Sequence, residues 1–476
     1  MSESEPKTVG FVSLGCPKNL VDSEVMMGML QKNGWRVTAD ASDADVLVVN
    51  TCSFIEPAQR ESIDTILEMA AQKKNGRAKR LVVAGCLVER FRGELQKEMP
   101  EIDALIGTNE LQQIEAACSG TSTGAGPRSA APSDPLRSLL PILPQDFFDP
   151  SPAAPYLYDD LTPRLRATPK HSAYVKIAEG CDHPCSFCVI PKYRGRFRSR
   201  RFESVVNEAR RLAGEGAREL VLIGQDTTCY GEDLGLKDGL AALLGRLAGV
   251  AAESETLRWI RTLYFYPNKV KQPLLDTIAA HPELCKYVDM PLQHAAAGVL
   301  KRMKRGGSGE IFLKLIERIR ATIPGVALRT SFIVGFPGET EAEFEELCTF
   351  VREVEFDWMG VFAYSDEAIN QAVHLEGKVP QAVIEQRKKK LMQMQRAISR
   401  RRRKAMIGRT VPVLVEGPSS ETELLWEGRI EGQAPEIDGK VLINDCAEGT
   451  ELRTGILARA EITGAQDYDL LARLVQ

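Results

Sequence analysis

Three short, almost wholly apolar runs open the chain, at residues 8–14, 45–50 (DVLVVN) and 80–85 (RLVVAG), and helical stretches separate them. Residues 20–32 are amphipathic, and a second helix opens near Pro57, a residue suited to a first helical turn because its missing N–H costs nothing there. Strands that are apolar along their whole length, alternating with helices, make a parallel sheet covered on both faces. Residues 7–118 therefore read as one such α/β domain.

The pattern breaks at residues 119–170, which hold ten of the chain's 26 prolines among Ser, Ala and Gly. This composition predicts a linker, partly extended and mobile at its start. Its inner stretch LRSLLPILPQDFF is apolar enough to lie against a neighbouring domain. Strand and helix signals resume over residues 171–405. Strands are expected at 174–178, 219–223, 259–265, 287–290, 326–334 and 358–362, with helices such as 203–213 and 341–354 between them. Six such units suit a barrel or an open part of one. A long charged helix over 381–405 ends in the run Arg400 to Lys404. Residues 406–476 change to short strands and Gly turns, the texture of a small β-barrel.

At 476 residues, two to four domains are expected. The 43% hydrophobic and 26% charged fractions suit packed cores and exclude disorder, collagen or coiled coil as the general answer. Apolar stretches fall short of the roughly 20 residues a membrane helix needs. The N-terminus, MSESEPKTVG, lacks a basic segment followed by an apolar one, so a cytoplasmic protein is expected. In that compartment the eleven cysteines would be reduced, leaving burial or metal binding as their use.

The segment CDHPCSFC places Cys181, Cys185 and Cys188 directly after a strand. Three thiolates on one loop can bind three irons of a 4Fe–4S cube and leave one iron open. The competing arrangement is a zinc knuckle with His183 as fourth ligand. It fits less well, because zinc sites pair cysteines at two-residue gaps and add a distant second pair. Cys16, Cys52 and Cys86 form a second trio, each at the C-terminal end of a strand, 36 and 34 residues apart. Successive βαβ units deliver those ends to one sheet edge, so three thiols would converge there. Three unrelated buried cysteines are the alternative. Gly15 and Gly85 beside them would let the backbone approach a ligand closely.

The CDHPCSFC loop resembles the signature of the radical S-adenosylmethionine (SAM) superfamily. With the Cys16, Cys52 and Cys86 trio ahead of it, almost the whole chain resembles the methylthiotransferase family. The resemblance implies a flavodoxin-like N-terminal domain, a partial (β/α)6 radical SAM barrel and a C-terminal TRAM-like β-barrel. It implies two 4Fe–4S clusters, one at Cys181, Cys185 and Cys188 that binds SAM, and one at Cys16, Cys52 and Cys86 involved in sulfur delivery. One SAM would supply the methyl group and another the radical, placing SCH3 where a C–H hydrogen was. Phe187 would lie near the adenine, or else pack in the core.

Within the family, GCPKNLVDSE (residues 15–24), CDHPCSFCVIPKYRGRFRSR (181–200), YVDMPLQHA (287–295) and APEIDG (434–439) resemble the branch that modifies an aspartate of small-subunit ribosomal protein twelve. The tRNA-modifying branch is the alternative, and a non-enzymatic two-cluster electron carrier is the alternative of another class. Charge points to the protein substrate. Residues 411–476 carry thirteen acidic and five basic side chains, a net of −8, which would repel phosphates and suit a basic protein. The basic runs 194–201 and 400–404 fit either RNA contact or a solvated surface. The partners implied are protein twelve, free or in the ribosome, and an electron donor, with no membrane.

Gly224, Gln225 and Asp226 follow a barrel strand and fit either a SAM-pocket wall or ordinary turn chemistry, as does SFIVGFPG at 331–338. Gln293 and His294 stand at a strand end, where active-site groups collect, although a lone His is also a common structural residue. Cys118, Cys229, Cys285, Cys348 and Cys446 lack ligand spacing and read as structural. The segment 364–370 departs from the family's usual turn, a change expected to touch neither cluster.

Overall fold

The computed structural model describes residues 7–121, 156–367, 369–420, 422, 424–447 and 452–475. The first part of the Pro-rich segment, with its apolar LRSLLPILPQDFF stretch, lies outside the described residues. Two compact units are present. The first comprises residues up to Ala167 with Glu179–Asp182 and Val189–Phe197; the second holds the remainder.

In the first unit, strands β1 (Thr8–Ser13), β2 (Arg36–Thr38), β3 (Val46–Thr51), β4 (Arg80–Gly85) and β5 (Ala104–Ile106) pair in the order β2-β1-β3-β4-β5, all parallel. That is the flavodoxin-like order, with its topological switch between β1 and β3. Alternate residues serve opposite faces. Val46, Val48, Val82 and Ala84 join one apolar core, and Leu47, Val49, Leu81 and Val83 the other. β2 and β5 escaped the sequence reading because each is a three-residue strand at a sheet edge.

Helix α1 (Pro17–Lys32) carries a buried carboxylate, Glu24, which binds Arg164 Nε at 2.8 Å and the Ala167 N–H at 2.7 Å. The end of the expected linker is thereby fastened to the first unit rather than extended, because a buried charge must find its partner. Gly28 makes the fit possible, since a Cβ there would stand 2.5 Å from the Pro163 and Arg164 backbone. Gly→Ala inside a helix usually stabilises by about 1 kcal/mol. Gly28→Ala is expected to do the reverse, lowering stability by roughly 1–3 kcal/mol through overpacking. Thermal unfolding of the variant beside the parent measures the sign.

In the second unit six parallel strands follow chain order as two groups of three: Ser172–Lys176, Glu219–Ile223 and Trp259–Thr262, then Tyr287–Asp289, Ala327–Val334 and Trp358–Ala363. The Phe265 N–H donates to Asp289 O at 2.8 Å across the seam. The result is the expected partial barrel, its strands within two or three residues of the sequence-based boundaries. The helix Gln381–Lys404 follows, then a closed five-stranded β-barrel over Thr410–Val475 around Val413, Val415, Val441, Ile462 and Leu474. Among the described residues no helix is long and apolar enough to cross a membrane.

The C-terminal barrel seats on the N-terminal ends of the parallel strands through buried ions. Glu219 binds Arg261 at 2.8 Å and Arg429 at 2.5 Å, and Arg429 also binds Glu416 at 2.8 Å. The Tyr287 hydroxyl donates to Asp438 at 2.6 Å, and the Lys286 N–H to Glu431 at 2.6 Å. Burial raises the Asp438 carboxyl above its usual range despite the Arg329 cation beside it. The −8 of this domain is thus partly spent internally. Asp438 faces Arg329 and Asp467 pairs with Arg396, both cations lying outside the domain.

Candidate functional site

At the upper edge of the first unit's sheet, Cys16 caps α1 just past β1, Cys52 follows β3, and Cys86 opens the helix Cys86–Glu98 just past β4. Helix N-termini favour thiolates, and two of the three thiols stand at one. Gly15 and Gly85, both at positive φ, are required here by the protein itself. A Cβ on Gly15 would lie 2.9 Å from Cys52 Sγ, and one on Gly85 would lie 2.3 Å from Asn50 Oδ1. Both glycines thus let one strand end approach the next closely.

The three thiols feel one another electrostatically. Burial alone would raise Cys16, yet the Lys18 and Arg194 cations and the Asn19 N–H hold it below the usual thiol range. Burial pushes Cys52 up, with the Cys16 charge adding to it, and pushes Cys86 up to about 12. Asn19 ties the edge together, its amide donating to Leu14 O at 3.0 Å and Thr51 O at 2.8 Å. Among the described residues only His183, Asp226 and Cys229 crowd their donors within 4.8 Å as a single ion needs. The Cys16, Cys52 and Cys86 sulfurs are not gathered that closely, as one zinc ion would need. A soft three-sulfur donor set with cations beside it fits a 4Fe–4S cluster.

The second trio, Cys181, Cys185 and Cys188, follows the short strand Ala178–Glu179. The Cys181 N–H donates to Gly195 O at 3.2 Å, and the Cys188 N–H to Cys185 O at 3.2 Å. Between Cys185 and Cys188 the loop is held from below. Ser186 donates its N–H to Met303 O and its hydroxyl to Arg302 O, at 3.1 and 2.9 Å. The Asn370 amide donates to Phe187 O at 2.6 Å and the Ala372 N–H to Ser186 O at 2.9 Å. The divergent segment near residue 370 thus reaches the cysteine loop between Cys185 and Cys188. One side-chain amide and one backbone N–H meet carbonyls that no spacing rule links to them.

Strand ends of the partial barrel supply the rest. Asp226, after Glu219–Ile223, accepts from His183 Nε2 at 2.6 Å, from the Thr228 N–H at 2.8 Å and from the Cys229 thiol at 3.0 Å. Burial opposes its ionisation, but these donors lower the Asp226 carboxyl below its usual range. Burial and the Asp226 charge drive the Cys229 thiol far upward, so it stays a proton donor. His183 stacks on Tyr266, centroids 3.6 Å apart, and is committed there rather than to a zinc knuckle. Arg305 covers the other part of this stack at 4.4 Å from the Tyr266 ring, with Nη1 3.6 Å from Cys185 Sγ and Nη2 donating to Pro291 O at 2.9 Å. A cation hydrogen-bonded to a thiolate stabilises it as a metal ligand.

Of the weaker candidates, Phe187 packs against Ala296, Val299, Met303 and Phe336, and Gly224 is buried beside half-buried Gln225. His294 is wholly buried, its Nδ1 accepting the Ala296 N–H at 3.0 Å, which is a structural role. The 331–338 stretch ends in a turn whose Gly335 and Phe336 N–H groups both point at Glu339. Sequence reasoning missed Asn19, Arg194, Tyr266 and Arg305. The run 194–201 had been weighed as solvated surface or RNA contact, yet Arg194 and Arg200 are buried in ion pairs, the latter with Glu208 at 2.5 Å.

Three family models match: an uncharacterized protein family, UPF0004, over residues 8–107, the radical SAM superfamily over 175–351, and the TRAM domain over 407–475. The ribosomal protein uS12 methylthiotransferase RimO of Solibacter usitatus (strain Ellin6076) is 62% identical over 467 residues, covering 98% of this chain and 94% of its own. The protein of the same name from Koribacter versatilis (strain Ellin345) is 58% identical, covering 99% and 97%. Among solved structures, the radical SAM methyltransferase TsrM from Kitasatospora setae, with cobalamin and a [4Fe-4S] cluster bound, superposes with a TM-score of 0.54. At 15% identity over 75% of this chain and 72% of that one, it shows a shared fold alone. Matched nearly end to end by such relatives, the chain belongs to the ribosomal protein uS12 methylthiotransferase family, enzymes that transfer a sulfur group on a radical SAM core.

Proposed function

We propose that this enzyme places SCH3 on the β-carbon of an aspartate in small-subunit ribosomal protein twelve, uS12. The observation that carries the reading is the presence in one chain of two three-cysteine sets, one on a CxxxCxxC loop and one at three adjacent strand ends. In this reading Cys181, Cys185 and Cys188 hold the cluster that binds SAM, and Cys16, Cys52 and Cys86 hold the second 4Fe–4S cluster. When bound, these groups supply the electron that cleaves SAM reductively and the place where sulfur is delivered. The domain boundaries proposed are 7–118, 119–170, 171–405 and 406–476.

The chain's own residues bind and orient. The Asp226 carboxylate holds His183, and with it the cysteine loop, against the strand ends. Arg305 donates toward Cys185 and favours the thiolate over the thiol. Phe187, Gly224, Gln225 and Asp226 would face SAM, with Phe187 resting on the apolar cluster of Val299, Met303 and Phe336. The reading includes a separate electron donor and a cytoplasmic setting, with uS12 free or within the ribosome.

The substrate is tested by competition. The anaerobically reconstituted enzyme, given SAM and a reductant, receives a uS12 loop peptide and bulk unmodified tRNA together. Mass spectrometry is expected to find the added SCH3 on one peptide aspartate. A methylthio group confined to tRNA adenosine would overturn the substrate reading, and the exposed Arg396, Arg400 and Lys404 groove on the long helix would become the RNA contact.

A further inference from the structure

Arg194, at the end of the short helix Ile190–Arg194, is 2% exposed and holds more partners than charge balance requires. Its Nη1 donates to Asp22 Oδ2 at 3.0 Å and to both Glu179 oxygens at 3.1 and 3.2 Å. One carboxylate would neutralise the guanidinium, and here two face it. Its Nη2 nevertheless turns the other way, donating to Asn19 Oδ1 at 2.5 Å and standing 3.6 Å from Cys86 Sγ. Asn19 is itself fixed between the ends of β1 and β3, so the second fork of the guanidinium is aimed by a rigid neighbour. The carboxylates thus serve as a frame, and the free fork reaches sulfur.

We propose that Arg194 is the positioning residue of the second cluster, fixing the Cys86 thiolate through an N–H···S hydrogen bond and holding that cluster at a higher reduction potential than its thiolates alone would give. The proposal rests on the reading that Cys16, Cys52 and Cys86 ligate a 4Fe–4S cluster. Hydrogen bonds to ligand sulfur, local charge and solvent exclusion are the terms that set such potentials. Arg194 supplies the first of these, its Nη2 standing 3.6 Å from Cys86 Sγ. A donor on sulfur draws electron density from the thiolate and so favours the reduced cluster, which carries the extra negative charge. Burial strengthens the effect by excluding water that would screen it.

Arg194→Lys retains the cation between Asp22 and Glu179 but loses the fork that reaches sulfur, since lysine offers a single compact ammonium. Arg164→Lys is the control. It perturbs a buried ion pair of the same unit, with Glu24, that has no thiol in it. The measurement is an EPR-monitored redox titration of the reconstituted full-length chain. The signal that SAM leaves unchanged identifies the second cluster. In Arg194→Lys the reduced fraction of this signal at fixed potential is expected to fall on the order of tenfold, about 59 mV for a one-electron couple. Arg164→Lys is expected to leave it in place. A midpoint is read only from molecules that carry the cluster, so partial misfolding would shrink the signal without moving it. An unchanged midpoint in Arg194→Lys, or an equal shift in both variants, would overturn the proposal. A parent enzyme with about four irons per chain instead of about eight, and no SAM-insensitive signal, would remove the cluster reading on which it stands.

Discussion

Cys185→Ala is expected to reduce formation of 5′-deoxyadenosine from SAM by more than about 100-fold, beyond the roughly 10–100-fold that changes around a metal's ligands cost. Cys52→Ala is expected to leave that cleavage running while methylthiolated product disappears. The contrast follows from placement. Cys185 lies on the loop whose backbone is held by Met303 and whose sulfur faces Arg305, at the ends of the parallel barrel strands. Cys52 lies at the sheet edge of the other unit, with Cys16 and Cys86. Chromatography of the nucleoside and mass spectrometry of the peptide, from the same reaction, separate the two losses. If Cys52→Ala still made methylthiolated peptide, the sulfur-delivery role of its trio would be wrong. Iron content should drop by about half in each variant, since each cube of four irons depends on three thiolates.

The second large effect concerns stability. Glu219 is wholly buried between Arg261 and Arg429, which are themselves buried. Glu219→Ala would leave two guanidiniums facing each other without their shared counter-charge, an outcome that costs about 3–5 kcal/mol. Breaking the exposed Glu56–Arg60 pair should change almost nothing by comparison, because water screens it. Unfolding followed in denaturant measures both. The acid limb gives a further check. Burial alone would raise the Glu219 carboxyl, but Arg429 and Arg261 hold it below its usual range. A depressed folded pKa adds stability above the unfolded value, roughly pH 4.3, and that stability is lost as pH falls through the folded value. The parent should therefore shed this contribution on acidification, and Glu219→Ala should have none to shed.

The strand pattern was legible because burial on both faces writes itself as apolar runs such as DVLVVN, and because Pro57 marks a helix start locally. The edge strands Arg36–Thr38 and Ala104–Ile106 were not, being too short to show a period. The charge of the last 66 residues was legible as a sum and misleading as a surface. Ion pairing with Arg329 and Arg396 is a matter of which side chains meet in space, and no count of acidic residues contains it.

Sequence by itself determined the two cysteine sets, the α/β alternation that sends Cys16, Cys52 and Cys86 to one sheet edge, and the family. Each depends on spacing along the chain, which composition and period record directly. Only the tertiary structure decided that Arg194 is buried against Cys86 and Arg200 against Glu208, while Arg196 and Arg201 in the same basic run stay exposed. It alone showed that Arg305 and Tyr266 close over His183, and that Asn370 reaches the cysteine loop. These groups come from distant stretches of the chain. Their partners, their burial and hence their chemistry exist only once loop closure has brought them together, and that meeting leaves no local trace in the order of residues.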